Sequence, residues 1–218
     1  MTVPVDGNGP RPFLARCRDT VLRPVERADA DALYPHVHGR PEVTRWLCWA
    51  GPDSLEDLRF RYRTWKYGAD AEPAFLFALV GATDGAVLGE GSLRFDEHPG
   101  VGELGYWLAE PYHGHGHGRD AVELLCRVGY ELCGAFALLA RVKEGNEASI
   151  RVLLRTGFVQ ERAPRPAEDD VTSVDAGIAW VFTSTRRSDE RREGRLEVRI
   201  EADREPSEPP GIETPDRG

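Results

Sequence analysis

The stretch "YHGHGHGRDAVELL" (Tyr112–Leu125) alternates three histidines with three glycines and then turns into an amphipathic run. In "GRDAVELLCRVGYELCG" (Gly118–Gly134) an apolar stripe of Ala121, Leu125, Val128 and Leu132 predicts a helix, with Arg119, Glu123, Arg127 and Glu131 largely off it. The first turn of a helix carries N–H groups without intrahelical acceptors and a partial positive charge. Glycine at 114, 116 and 118 removes side-chain bulk and permits positive φ, so successive N–H groups can converge on an anion. The stretch therefore reads as a phosphate cradle. It has neither the Walker lysine and spacing nor the acidic residue about 20 positions on that a dinucleotide fold requires. His113, His115 and His117 share one side of an extended segment, but no cysteine or second histidine cluster completes a site, and no resident metal is expected.

Three strand-like runs precede the cradle: "AFLFALV" (74–80), "AVLGEGSLRF" (86–95) and "VGELGYWL" (101–108), separated by turn chemistry. This spacing predicts an antiparallel meander. "AFALLARV" (135–142) reads as a buried strand, "NEASIRVLLRTGF" (146–158) as a capped helix ending at Gly157, and "GIAWVFTST" (177–185) as a last strand. Upstream, "TVLRPV" (20–25) reads as a short strand. A helix follows, burying Ala30, Leu33 and Val37 and strained by Pro35. A second helix, capped by Asp53 or Ser54, carries Leu55, Leu58, Tyr62 and Trp65 at helical spacing. Trp46, Trp49 and Trp65 pack a core or wall an acceptor pocket. The expected architecture is α/β (α+β): a mixed, largely antiparallel central sheet flanked by helices.

With 218 residues, 40% of them hydrophobic, the chain can bury one sizeable core. Its net charge of −9 argues against a global nucleic-acid footprint, and no nucleic acid is expected as a partner. Cys17, Cys48, Cys126 and Cys133 show no metal or disulfide spacing. The first twenty residues lack an apolar signal core, and no apolar run is long enough to span a bilayer, so a cytoplasmic protein without a membrane partner is expected. Residues 1–19 read as a flexible lead-in and 20–185 as the domain. Residues 186–218, with eight arginines against ten acids, read as a mixed-charge, disordered tail rather than a basic arm, although "RLEVRIEA" could form a short helix or strand.

Taken in order, "ELGYWLAEPYHGHGHGRDAVELL" and "NEASIRVLLRTGF" resemble the GNAT superfamily of N-acetyltransferases, and within it the branch of RimJ/RimL-type ribosomal-protein N-terminal acetyltransferases. The family's loop pattern [Q/R]-x-x-G-x-[G/A] falls on His113-Gly114-His115-Gly116-His117-Gly118, with histidine in place of the usual Gln/Arg. The later Asn-x-x-[Ala/Ser]-x-x-Leu and Gly-Phe pattern falls on Asn146, Ser149, Gly157 and Phe158, with Val152 in the leucine place. The resemblance covers roughly residues 20–185. It implies a GNAT-like fold with acetyl-CoA as co-substrate. It would put the pyrophosphate on His113, Gly114, His115, Gly116, His117 and Gly118, with Arg119 behind, and the pantetheine arm along Trp107 and Leu108. Asn146 would reach toward the cofactor unless it serves only as a helix cap, and Ser149 would lie near the thiol. The resemblance leaves the oligomeric state open, although members of the family often form homodimers.

Acetyl transfer to an amine needs a neutral amine, a stabilised oxyanion and a leaving thiolate. An α-amine, with pKa about 7.7–8.0, is partly neutral at pH 7, whereas a lysine amine near 10.4 costs roughly 4–5 kcal/mol to deprotonate. Glu103 is the first candidate for the proton relay, because it shares a strand face with Val101, Gly105 and Trp107; a rim carboxylate holding an arginine is the competing role. Glu90 is the second candidate base. Trp46, Glu90 and Glu103 are the expected acceptor-side residues. The tyrosine many relatives carry seven residues after the asparagine is Leu153 here; the resemblance to the RimL-like branch implies Ser149 as the thiolate's partner, unless it is a helix-interior serine that only packs. The leading expectation is an N-acetyltransferase acting on a protein N-terminal amine or a small-molecule amine, including aminoglycoside-like compounds. The acidic balance mildly suits a cationic acceptor. A non-catalytic acyl-CoA-binding module with a partner-binding tail, and a His/Gly-loop metal protein, are the alternatives.

Overall fold

The computed structural model describes residues 5–6, 9–10, 13–64, 74–95, 100–162, 178–185 and 199–202. A two-residue pairing of β1 (Val5–Asp6) with β2 (Gly9–Pro10) stands apart from the main sheet. Next come β3 (Phe13–Cys17), β4 (Thr20–Pro24), α1 (Asp29–Val37), α2 (Pro41–Thr44) and α3 (Leu55–Thr64). The expected meander follows as β5 (Ala74–Gly81), β6 (Val87–Phe95) and β7 (Val101–Leu108). A 3-10 turn (Glu110–Tyr112) leads into α4 (His117–Arg127), whose last turn loosens into a π segment (Val128–Leu132). The chain continues through β8 (Ala137–Lys143), α5 (Glu147–Arg155), β9 (Val159–Arg162), β10 (Ile178–Thr185) and β11 (Arg199–Ala202). Trp65, the turn chemistry expected at 96–99 and most of the two terminal segments lie outside the described residues.

Nine strands form one sheet in the order β11-β3-β4-β5-β6-β7-β8-β10-β9. Every pairing is antiparallel except β7 with β8. Two strands fall where the sequence predicts loose chain. β3 lies inside the expected lead-in, and β11, inside the expected tail, pairs with it from Arg199 opposite Arg16 to Ala202 opposite Phe13. β9, which has no distinctive pattern, completes the other edge. Among the described residues no helix is long and apolar enough to cross a membrane.

Each face of the sheet has its own core. One gathers Leu104 and Leu108 of β7 with Ala121, Leu124 and Leu125 of α4 and Ile150 and Leu153 of α5. The other gathers Ala30, Leu33 and Val37 of α1 and Leu58 and Tyr62 of α3 over Leu76, Ala78 and Trp107. Burying one such leucine contributes about 1.5–3 kcal/mol, so the two helix layers hold the sheet from both sides. Pro35 lies two residues before the end of α1, where the helix forgoes the bond that a Pro35 N–H would have made to Asp31 O. Ser54 caps α3 by accepting from the Asp57 N–H at 3.1 Å.

Where β6 meets β7 the backbones leave no room for a side chain. A Cβ on Gly89 would lie 2.1 Å from the Trp107 carbonyl oxygen and 2.8 Å from Leu108 Cα. Gly89→Ala is expected to lower unfolding stability by about 3 kcal/mol, read from the denaturant midpoint, because both obstructing atoms are backbone. An unchanged midpoint would contradict this β6–β7 register.

Candidate active site

The parallel pairing of β7 with β8 covers only Val101–Glu103 opposite Ala137–Leu139. β8 then follows β10, with Ala140 opposite Phe182 and Val142 opposite Trp180, while β7 stays with β6 as far as Leu108. The two strands part, and the backbone groups of Leu104–Leu108 on that side face an opening. The alternation says which groups these are. Ala109 N–H donates to Leu88 O on β6, so odd positions face β6. Gly100 O accepts from Phe136 and Ala137 N–H, so even positions face β8. Leu104 N–H is the last β7 donor that the ladder to β8 uses, so the Leu104 C=O and the N–H and C=O groups of Tyr106 and Leu108 line the opening.

At its outer end stands the histidine–glycine loop. Gly114 (φ 81°) and Gly116 (φ 92°) adopt left-handed backbone, and nothing lies within 4 Å of where their Cβ atoms would be. Gly116 is the N-cap of α4, and the first N–H of the turn to find a carbonyl is Arg119's, on Gly116 O at 2.9 Å. With open space at Gly114 and Gly116, the N–H groups ahead of it leave room that a diphosphate would fit. Gly118 lies against β7 and α5: its Cβ would sit 3.4 Å from Tyr106 Cε2 and 3.8 Å from Val152 Cγ2.

The histidines do not act as a set. His113 Nε2 lies 2.8 Å from Leu108 O, His117 Nδ1 lies 2.8 Å from Thr20 Oγ1, and His115 is exposed. Among the described residues the one group with metal-ligand spacing is Cys17, Asp120 and Glu123, beside α4. Its cation is already present: Arg18 bonds both Asp120 and Glu123 and reaches Cys17 Sγ at 3.3 Å. Burial pushes the Cys17 thiol up to about 12, which keeps it protonated and a poor ligand. Burial also raises the Asp120 carboxyl, against the pull of Arg18 and Thr20. Arg119, expected to back the cradle, turns to Glu123 at 2.9 Å.

On the α4–α5 side of the opening, Asn146 caps α5 by accepting from Ser149 N–H at 3.2 Å, the helix-cap role. The Ser149 side chain hydrogen-bonds the Tyr106 phenol, which burial pushes up to about 12 against that bond. Sequence reasoning missed Tyr106, because a tyrosine in a strand reads as core. The signal was its parity: it points to the face opposite Glu103, toward Gly118 and Ser149.

On the α1–α3 side, Glu103 sits opposite Arg94 on β6, and its carboxylate lies 3.5 Å from Arg141 Nε. It is 23% exposed, so solvent reaches it. Glu90, expected as the second base, is 4% exposed. It accepts from Tyr62 Oη at 2.7 Å and from Arg61 at 3.1 and 3.3 Å, and Arg61 stacks on Trp49 at 4.5 Å. Its lone pairs are committed to holding α3 on the sheet. The segment between α2 and α3 is docked by Lys143, whose Nζ donates to Arg45 O at 3.1 Å and Leu47 O at 2.7 Å. That places Trp46 3.8 Å from the Cβ position of Gly145, at the end of β8, and Cys48 within the fields of Glu103, Lys143, Arg94 and Arg141. Trp107 is buried on the same face, and its Nε1 has no hydrogen-bond partner among the described residues.

The structure thus brings Trp46, Glu103 and Trp107 to one side of β7 and the loop, Tyr106 and Ser149 to the other. Comparison with known proteins bears on the fold that carries these residues. RimJ of Mycobacterium smegmatis, solved with a CoA disulfide, is 20% identical, with a TM-score of 0.67 over 86% of this chain and 99% of its own. A GNAT-family acetyltransferase from Bacillus anthracis is 15% identical, with a TM-score of 0.65 over 80% and 99%. RimL, a ribosomal-protein alpha-N acetyltransferase solved with coenzyme A, is 17% identical, with a TM-score of 0.61 over 77% and 94%. At these identities the likeness establishes the fold. The family model of the acetyltransferase (GNAT) domain matches residues 19–159, from β4 through the cradle to the start of β9, and the chain belongs to that family of acetyltransferases.

Proposed function

We propose that the protein transfers the acetyl group of acetyl-CoA to a primary amine, with the α-amine of a peptide or protein N-terminus as the preferred acceptor. The observation that carries this reading is the opening between β7 and β8, which leads from an anion cradle at one end to a solvent-reached carboxylate, Glu103, at the other. Acetyl-CoA supplies an activated thioester. Its diphosphate suits the N–H groups of Gly114–Gly118, and the two amides of its pantetheine arm suit the unpaired edge of β7.

The chain's own residues then divide the work. Leu108 N–H faces the opening and is the backbone donor placed to meet developing negative charge on the thioester oxygen. Ser149, with Tyr106 behind it, gives the departing thiolate a hydroxyl partner on the α4–α5 side. Glu103, roughly 16 Å along β7 from Leu108, accepts the amine proton through a relay of waters, while Arg141 holds the carboxylate in place. Glu90 is assigned a positioning role, not that of the base, because Tyr62 and Arg61 occupy it. An acceptor with pKa near 8 needs only so modest a base, which is why the α-amine is favoured over a lysine side chain. Trp46 and Trp107 border the acceptor's approach.

Gly116→Val is expected to weaken acetyl-CoA binding at least about tenfold in calorimetry while the fold persists. Its side chain meets open space, but the left-handed φ of 92° that shapes the cradle becomes strained. Glu103→Gln is expected to lower kcat toward peptide α-amines roughly 10–100-fold with little change in the KM for acetyl-CoA, followed by thiol release. Binding of acetyl-CoA with no turnover on any peptide or small-molecule amine would favour a binding module instead. No binding by the folded wild type would remove the transferase reading.

A further inference from the structure

The histidine that opens α4 is tied to a buried carboxylate by a hydrogen-bond chain reaching across 97 residues of sequence. Asp120 is 5% exposed and bonded by Arg18. Thr20 is fully buried and donates its hydroxyl proton to Asp120 Oδ2 at 3.1 Å. A hydroxyl has one proton. With that proton on Asp120, the 2.8 Å contact between Thr20 Oγ1 and His117 Nδ1 has to be made by a proton on Nδ1. The chain therefore fixes the tautomer of His117: Nδ1 carries a hydrogen, and in the neutral ring Nε2 carries a lone pair.

That assignment has a consequence for an anion at the cradle. His117 is the first residue of α4, and side chains in a helix tilt toward its N-terminus, where the anion sits. Nδ1 is taken by Thr20, so Nε2 is the nitrogen left to face a phosphate. A lone pair facing a phosphate oxygen repels it. The neutral ring cannot turn Nε2 into a donor by exchanging tautomers without breaking the bond to Thr20. Only the imidazolium satisfies Thr20 and the phosphate together.

We infer that this chain binds the diphosphate of its acyl-CoA with uptake of a proton at His117 Nε2, enforced by the Asp120–Thr20 relay. The inference rests on the proposed acetyl-CoA site. The step balances: a solvent proton adds to the neutral Nδ1–H ring, and the resulting Nε2–H donates to a phosphate oxygen. The other titratable and charged groups around His117 are Cys17, Arg18 and Asp19 on the β3–β4 side, Arg119, Asp120 and Glu123 on α4, and His113 and His115 in the loop. Arg18 is bonded to Asp120 and Glu123, Arg119 to Glu123, His113 to Leu108 O, and the His115 ring lies 6.3 Å from that of His117. Cys17 is kept protonated, and of the loop imidazoles His117 is the one tied to a buried carboxylate.

The test is calorimetric binding of acetyl-CoA at pH 7.5 in buffers of differing ionisation enthalpy, where the slope of observed heat against buffer enthalpy counts protons. It is repeated with 3′-dephospho-CoA, which keeps the diphosphate but lacks the titrating monoester. The wild type is expected to take up a fraction of a proton with both ligands. His117→Gln keeps a side-chain donor but cannot be protonated, so it is expected to lose the uptake and bind roughly tenfold more weakly. Thr20→Val frees the ring to exchange tautomers, and is expected to lose most of the uptake with a smaller loss of affinity, its fold checked by thermal melting. Uptake that disappears with 3′-dephospho-CoA, or persists in His117→Gln, assigns the proton elsewhere and overturns the inference while leaving the acetyl-CoA site intact. Failure of the wild type to bind either ligand overturns the site itself, and the inference with it.

Discussion

The site depends on one interruption of pairing. β7 and β8 run parallel in an otherwise antiparallel sheet and stay together for three register positions. Beyond Glu103, β7 keeps β6 on one side and, among the described residues, pairs with no strand on the other. Unpaired backbone groups in the middle of a sheet are costly, since each buried N–H or C=O left without a partner forfeits about a hydrogen bond's worth of stability. Part of the debt is met internally, where the His113 ring bonds Leu108 O. The rest makes an extended, amide-bearing ligand the natural occupant. Everything else is arranged about that gap: α4 and α5 close one face, α1, α3 and the Trp46 segment close the other, and the glycine loop stands at the end.

The cradle is shaped by torsion and held by charge. Positive φ at Gly114 and Gly116 turns the N–H groups forward, and the contact of Gly118 with Tyr106 fixes the depth at which α4 enters. Behind the first turn, Asp120 is a buried carboxylate placed favourably for the helix dipole but unfavourably for a bound anion. Arg18 resolves the conflict by pairing with it from the β3–β4 turn and extending to Glu123. The edge of the sheet farthest from the chemistry thereby contributes to the electrostatics of the loop.

How much of this was legible in the sequence follows from the range of the interactions involved. β5, β6, β7, α4 and α5 announce themselves through period-two or helical spacing bounded by glycine, and the cradle through three glycines before a helix. β3, β9 and β11 do not. They are short, lie at or near the sheet edges, and β11 carries Arg199 and Glu201 in a segment whose composition argues for loose chain. At the site, Glu103 was visible as a carboxylate on an otherwise small or apolar face. The commitment of Glu90 to Arg61 and Tyr62 was not, because those donors arrive from a helix 28 and 29 residues away. Tyr106 was hidden by its resemblance to ordinary core. The tie from Thr20 to His117 has no local pattern at all; it exists only because β4 and the start of α4 meet in space.

The most direct test of the account is the change in backbone amide chemical shifts as acetyl-CoA is titrated into isotopically labelled protein. The account predicts the largest shifts at the amides of His115–Arg119, from the diphosphate, and at Tyr106 and Leu108, the even positions of β7 that face the opening. Saturable binding that leaves both groups of amides unmoved and perturbs another surface would contradict it.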